Sequence, residues 1–152
     1  MAGAHRFATH RPIRSGRLTA SPAVKRIFDT NVLINHFRRL PPSSRNEDSA
    51  QDWARNLVKA YGCDCIASPV RIEFLCGVRS SSELKCHLAY LRPFRVVDGR
   101  EIPRQVWQKA GDIAKRAGRP RKLGDCLLKA IAEHLNYEVV TSDRDFTRRV
   151  PP

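Results

Sequence analysis

The stretch Lys25-Arg26-Ile27-Phe28-Asp29-Thr30-Asn31-Val32-Leu33-Ile34 decides the fold of this chain. Ile27 and Phe28 run straight into Asp29, Thr30 and Asn31, and a second apolar run begins at Val32 with no Gly or Pro between. The two apolar residues suit the end of a buried strand. Asp, Thr and Asn favour helix starts, because their side-chain oxygens accept the unpaired backbone N–H groups there. The stretch therefore reads as strand, sharp turn and helix, with Asp29 at the strand's carboxyl end. In open α/β sheets that edge is where ligands bind. Taken alone, Asp29 reads equally well as a helix cap.

Outward from this stretch, strands and helices alternate. A helix over 49–61 has Ser49 and Asp52 at capping-box spacing and Trp53, Leu57, Val58 and Tyr61 on one face. Gly62 ends it. Residues 63–67 read as a second strand, and Ser68-Pro69 opens the next helix. That helix carries Glu73 in an otherwise apolar run. Ser80-x-x-Glu83 caps another helix, and 94–97 is a third strand. Asp98-x-x-Glu101 matches a capping box before a long helix with Val106, Ala110 and Ile113 on its apolar face. Asp125 starts a helix to about residue 136, and 138–142 is a fourth strand. Four short strands separated by helices predict an α/β domain: a short, mostly parallel sheet flanked by helices on both faces.

At 152 residues the chain has room for one domain with a sizeable core. Its 41% apolar content argues against disorder. No apolar run approaches the roughly 20 residues that cross a membrane. The five cysteines are odd in number, follow no secretory signal and form no C-x-x-C pair. That pattern argues against a disulfide framework and against structural zinc, and leaves reduced thiols in a cytoplasmic protein.

The charge speaks to partners. Lys and Arg number 28 against 15 Asp and Glu, a net of +13. Solubility alone needs only about 2–8, so a polyanion, nucleic acid first, is the expected partner. Residues 1–24 hold Arg6, Arg11, Arg14 and Arg17 with no acid, and Pro12 and Pro22 break them. They read as a flexible basic arm before a domain over 25–152. An organelle transit peptide, or a start assigned too early, has the same composition.

The acids follow the strands. Asp29, Asp98 and Asp143 lie just past strand ends, Glu73 on the helix leaving the second strand, and Asp125 on the helix feeding the fourth. Parallel strands share one carboxyl edge, so Asp29, Glu73 and Asp143 can converge there, with Asp125 above them. Its capping box already explains Asp98. Two carboxylates about 4 Å apart repel by roughly 4 kcal/mol at an effective dielectric of about 20. A cluster needs a cation, and oxygen donors without His or paired Cys suit Mg²⁺ or Mn²⁺. Water at such an ion can serve as nucleophile against a phosphodiester. Basic residues adjoin the acids in sequence: Arg38 and Arg39, then Arg119, Arg121 and Lys122, then Arg144. They are the expected contacts to nucleic-acid phosphates.

Four segments then resemble PIN-domain nucleases: Ile27 to Ile34, Glu73 within 68–77, Gly124-Asp125 with the helix to residue 132, and Val140-Thr141-Ser142-Asp143-Arg144-Asp145-Phe146. The short length is similar to VapC-type toxins of toxin–antitoxin pairs. The resemblance implies a three-layer PIN-like sandwich and a Mg²⁺-dependent endoribonuclease that cleaves with metal-activated water. It implies catalytic acids at Asp29, Glu73, Asp125 and Asp143, the metal held by Asp29, Asp125 and Asp143 with Glu73 as a further ligand. Asp145 can replace or assist Asp143, because the family's last motif varies between its first and third positions. A homodimer and a cognate antitoxin are implied as partners. Two rival readings stand beside this one: a non-catalytic RNA-binding PIN module, and a deoxyribonuclease of the same chemistry.

Overall fold

The computed structural model describes residues 24–116 and 123–143. The expected arm up to residue 23, together with Arg119, Arg121, Lys122, Arg144 and Asp145, lies outside the described residues. Strand β1 (Arg26–Phe28) leads into α1 (Thr30–Arg38), and a short 3₁₀ turn (Pro42–Ser44) precedes α2 (Glu47–Tyr61). Then follow β2 (Cys65–Ile66), α3 (Ser68–Leu75), α4 (Ser81–Leu91), β3 (Arg95–Val96) and α5 (Arg104–Arg116). Helix α6 (Leu123–Leu135) and β4 (Glu138–Val140) close the described chain.

The described strands form two parallel pairs. β1 pairs with β4, Ile27 opposite Val139 and Phe28 opposite Val140. β2 pairs with β3, Cys65 opposite Arg95 and Ile66 opposite Val96. The Cys63 thiol donates to the Arg26 carbonyl at 3.0 Å, tying the entry to β2 against β1. The fold is the expected α/β arrangement, mostly helical, on strands shorter than the sequence suggested. The fourth strand stops at Val140, because its partner β1 ends at Phe28 and the chain turns into α1 after the Asp29 amide bonds the Val140 carbonyl. Among the described residues, no helix is long and apolar enough to cross a membrane.

Aromatic packing holds the helices. Tyr90 of α4 is fully buried. Its ring stacks on Phe74 at 5.2 Å and meets Phe37 edge-on at 5.1 Å. Its hydroxyl bonds His36 Nδ1 at 2.9 Å and donates to the Leu33 carbonyl. Burial without a hydroxyl partner costs free energy, and these bonds remove that cost while joining α4 to α1. Trp53 of α2 stacks on His36 and donates its Nε1–H to the His36 carbonyl at 2.9 Å. α1, α2, α3 and α4 thus meet around one aromatic cluster.

Three helix starts differ from the sequence reading. α2 begins at Glu47, capped by the Asn46 side chain on the Ser49 amide, so Ser49 lies inside the helix. α6 begins at Leu123, placing Asp125 within its first turn. α5 begins only at Arg104, and the Asp98-x-x-Glu101 capping box does not form there. Pro103 disfavours helical geometry at Ile102 and so delays the start. The Asp98 carboxylate instead accepts from the Ser68 amide at 3.0 Å and the Ser68 hydroxyl at 2.8 Å. It satisfies the amino end of α3 from a residue 30 positions away. Ser80 does cap α4, accepting from the Glu83 amide at 3.1 Å, and Gly62 ends α2 with φ 59°.

Asp98→Ala should lower unfolding free energy by about 2 kcal/mol, since it strands two donors at the start of α3. Asp98→Asn should recover most of that. Urea denaturation of both variants checks this, and equal loss in both would mean that the acceptor oxygens are not what matters.

Candidate active site

β1 delivers Asp29 to the sheet edge. The Asp29 amide donates to the Val140 carbonyl at 2.9 Å, the last bond between β1 and β4. Its backbone then turns the chain into α1 with φ −79° and ψ 150°. Asp29 occupies the cap position, yet its side chain makes no capping hydrogen bond. Oδ2 instead accepts from the Thr141 hydroxyl at 2.8 Å and, more weakly, from Asn31 Nδ2 at 3.4 Å. The carboxylate forms no ion pair among the described residues, and Asp29 is only 2% exposed. Burial pushes its pKa above the ordinary value; the Thr141 hydroxyl and the Thr30 and Asn31 amides oppose that, and the Glu73 charge adds to it.

α3 carries Glu73 to the same place. Thr30, the residue after Asp29, donates its hydroxyl to Glu73 Oε2 at 2.7 Å. Glu73 faces solvent, so the apolar run around it does not bury it. α6 arrives from the other side. A Cβ on Gly124 would lie 3.4 Å from Glu73 Oε2, so the first turn of α6, with Asp125 in it, abuts Glu73. The Asp143 amide donates to Thr141 Oγ1 at 3.0 Å. One hydroxyl therefore joins Asp29 to the Asp143 backbone. Through these links Asp29 and Glu73 meet at one edge, with the Asp143 backbone and the first turn of α6, which carries Asp125, beside them. Asp98 stays apart, committed to Ser68.

Cations flank the acids. Arg38 and Arg39 end α1, both exposed. Arg38 shares a cleft with Glu73, and Arg39 shares another with Thr141 and Ser142. Burial and the Arg39 charge lower the His36 pKa. Arg45 and His87 also reach the Glu73 cleft, and the sequence reading gave neither a place in the site. Neither adjoins an acid of the site in sequence, so no local signal marks them.

The donor set is oxygen only, and its most buried member is short of positive charge. That chemistry fits a hard divalent cation. Among the described residues, no three His, Cys, Asp or Glu side chains already enclose a point where one ion would sit. Asp29 and Glu73 stand near the edge where β1 ends, with Arg38 and Arg39 in the adjoining clefts. The PIN domain family matches residues 26–150, and the chain belongs to that family. No curated protein matches closely enough to count as a relative. Family membership implies a nuclease-type function of the kind that generally uses divalent metal ions.

The raised pKa of Asp29 has a consequence for stability. The folded state holds this proton more tightly than the unfolded state does, so the contribution is present below the unfolded value, about 3.9, and is lost as pH rises through the folded value. Asp29→Asn removes that loss. In chelator, the melting temperature of the variant should gain on wild type as pH rises from below the ordinary Asp range toward neutrality. A gap that stays constant over this range would contradict the account. Thr141→Val should cost about 1–2 kcal/mol, since it removes a donor to one acid and an acceptor from the backbone of another.

Proposed function

We propose that this chain is a Mg²⁺-dependent endoribonuclease and acts as the toxin of a toxin–antitoxin pair. The observation that carries the reading is the Asp29 carboxylate: buried at the strand edge, held by the Thr141 hydroxyl, and set by threonine hydroxyls in the neighbourhood of two other acids, Glu73 and Asp143. Asp29, Asp125 and Asp143 would hold the ion, Mg²⁺ or Mn²⁺, with Glu73 beside them. When bound, the ion lowers the pKa of water and offsets charge developing on the phosphodiester. Thr141 orients Asp29 and fixes the backbone of Asp143. Thr30 orients Glu73. Arg38 and Arg39 take phosphates on either side of the acids, and Arg119, Arg121, Lys122 and Arg144 extend that contact. The net charge of +13 supports a polyanionic substrate.

In this reading residues 25–152 carry the activity and the basic arm before them is not needed for the chemistry. The chain works as a cytoplasmic homodimer. Its antitoxin sets a cation against the acids, in place of the metal.

Cleavage of a mixed-sequence single-stranded RNA should require Mg²⁺ or Mn²⁺ and stop in excess chelator. Asp29→Asn and Asp125→Asn should each lower the rate by at least about a hundredfold, the scale of losing one electrostatic element of an active site. A single-stranded DNA of the same sequence should be cut far more slowly. Full activity after dialysis against chelator refutes the metal reading, and equal cutting of DNA refutes the ribonuclease assignment. Expression in a bacterial host should arrest growth, and expression of Asp29→Asn should not.

A further inference from the structure

Beside Glu73, a groove opens between α1, α3 and α4. One cleft is lined by Arg38, Arg45, Glu73, Phe74 and His87, and a second continues it past Ser80 and Ser82. Phe37, Arg45, Glu83 and His87 line both, so the two form one track leading away from the acids. Neither Arg38 nor Arg45 is in an ion pair among the described residues. Arg45 is nevertheless held in place: Nε donates to the Leu40 carbonyl at 3.3 Å and the guanidinium lies 5.6 Å over the Phe37 ring. His87 is half-buried in front of two buried rings, 4.4 Å from Phe37 and 5.2 Å from Phe74. Its Nδ1 meets the Glu83 carbonyl at 2.9 Å. A carbonyl only accepts, so Nδ1 carries a proton and Nε2 is left for another partner.

We propose that this groove is a nucleotide subsite that seats the single-stranded RNA next to the scissile bond, Arg45 and Arg38 on the phosphates and His87 against a base. The proposal rests on the ribonuclease reading and adds its substrate track. Two cations lining one groove with a half-buried ring beside them are the elements single-stranded nucleic acid uses: charge for the backbone and a π surface for the base. The serine hydroxyls at the far end are neutral donors suited to sugar and phosphate oxygens. An acidic peptide would use the arginines and leave the ring idle. His87 also gives the groove a means to prefer one base, since Nε2 is left to hydrogen-bond a base edge.

The test uses the full chain in chelator, where binding is separated from cleavage, and a short single-stranded RNA of mixed sequence. Arg45→Gln and Arg38→Gln should each weaken binding and reduce the log–log salt slope by about 0.7, the share of one phosphate on a single strand. His87→Ala should weaken binding at least about fivefold with the salt slope unchanged, as for loss of one stacked base. With Mg²⁺ restored, His87→Ala should still cut but with a flatter preference among cleavage positions. Photo-crosslinking of wild type to the same RNA carrying 4-thiouridine needs no variant, and its adducts should map to peptides containing Phe37, Arg45 or His87. If the chain cuts RNA while all three variants bind like wild type and adducts fall elsewhere, the groove is refuted and the ribonuclease reading stands. If the chain neither binds nor cuts RNA, both fail. Arg45→Gln weakening an acidic peptide but not the RNA would make the groove a protein site and overturn the proposal.

Discussion

A carboxylate buried at the end of a strand constrains everything around it. Asp29 is almost inaccessible, and burial of a charged group is unfavourable unless hydrogen bonds or an opposite charge answer it. The fold supplies hydrogen bonds, from Thr141 and Asn31, and no ion pair among the described residues. The Thr141 bond depends on parallel pairing of β1 with β4, which sets Val140 opposite Phe28 and so Thr141 beside Asp29. An antiparallel partner would have put a strand start there instead. The pKa stays raised despite these bonds, because burial outweighs them. Structures commonly accept such a local cost where function needs it.

The geometry of the acids depends in turn on packing some distance away. Thr30 sits at the start of α1 and Glu73 near the end of α3, so their 2.7 Å bond requires the two helices to hold register. Tyr90 enforces it. Its hydroxyl bonds the α1 backbone while its ring stacks on Phe74, the neighbour of Glu73. The same rings stand behind His87, so one aromatic cluster supports the acids and backs the groove beside them. Asp98 contributes from outside the site. By satisfying the amino end of α3 it fixes where that helix begins, and so where Glu73 projects.

The sequence by itself determined the local elements, and much of the site with them. Strand, turn and helix at 25–34, the stop at Gly62, the Pro69 entry to α3 and the Ser80 cap all follow from chemistry within four residues of each position. The order of the acids along a parallel α/β chain led to the expectation that Asp29, Glu73, Asp125 and Asp143 share one edge, and the structure links Asp29 and Glu73 to that edge through Thr141 and Thr30. Tertiary structure decided the rest, because the deciding bonds join residues far apart in sequence. Thr30 reaches Glu73 across 43 positions and Thr141 reaches Asp29 across 112. Whether Asp29 capped a helix or served a site was undecidable locally, since the same carboxylate at the same position suits both. The Thr141 hydroxyl, arriving from β4, takes the same oxygen that Asn31 of α1 reaches more weakly. Asp98 shows the reverse. Its capping-box spacing was real, but Pro103 delayed the helix and Ser68, brought close by packing, took the carboxylate. Arg45 and His87 carried no sequence signal at all, because a groove exists only once three helices have closed around it.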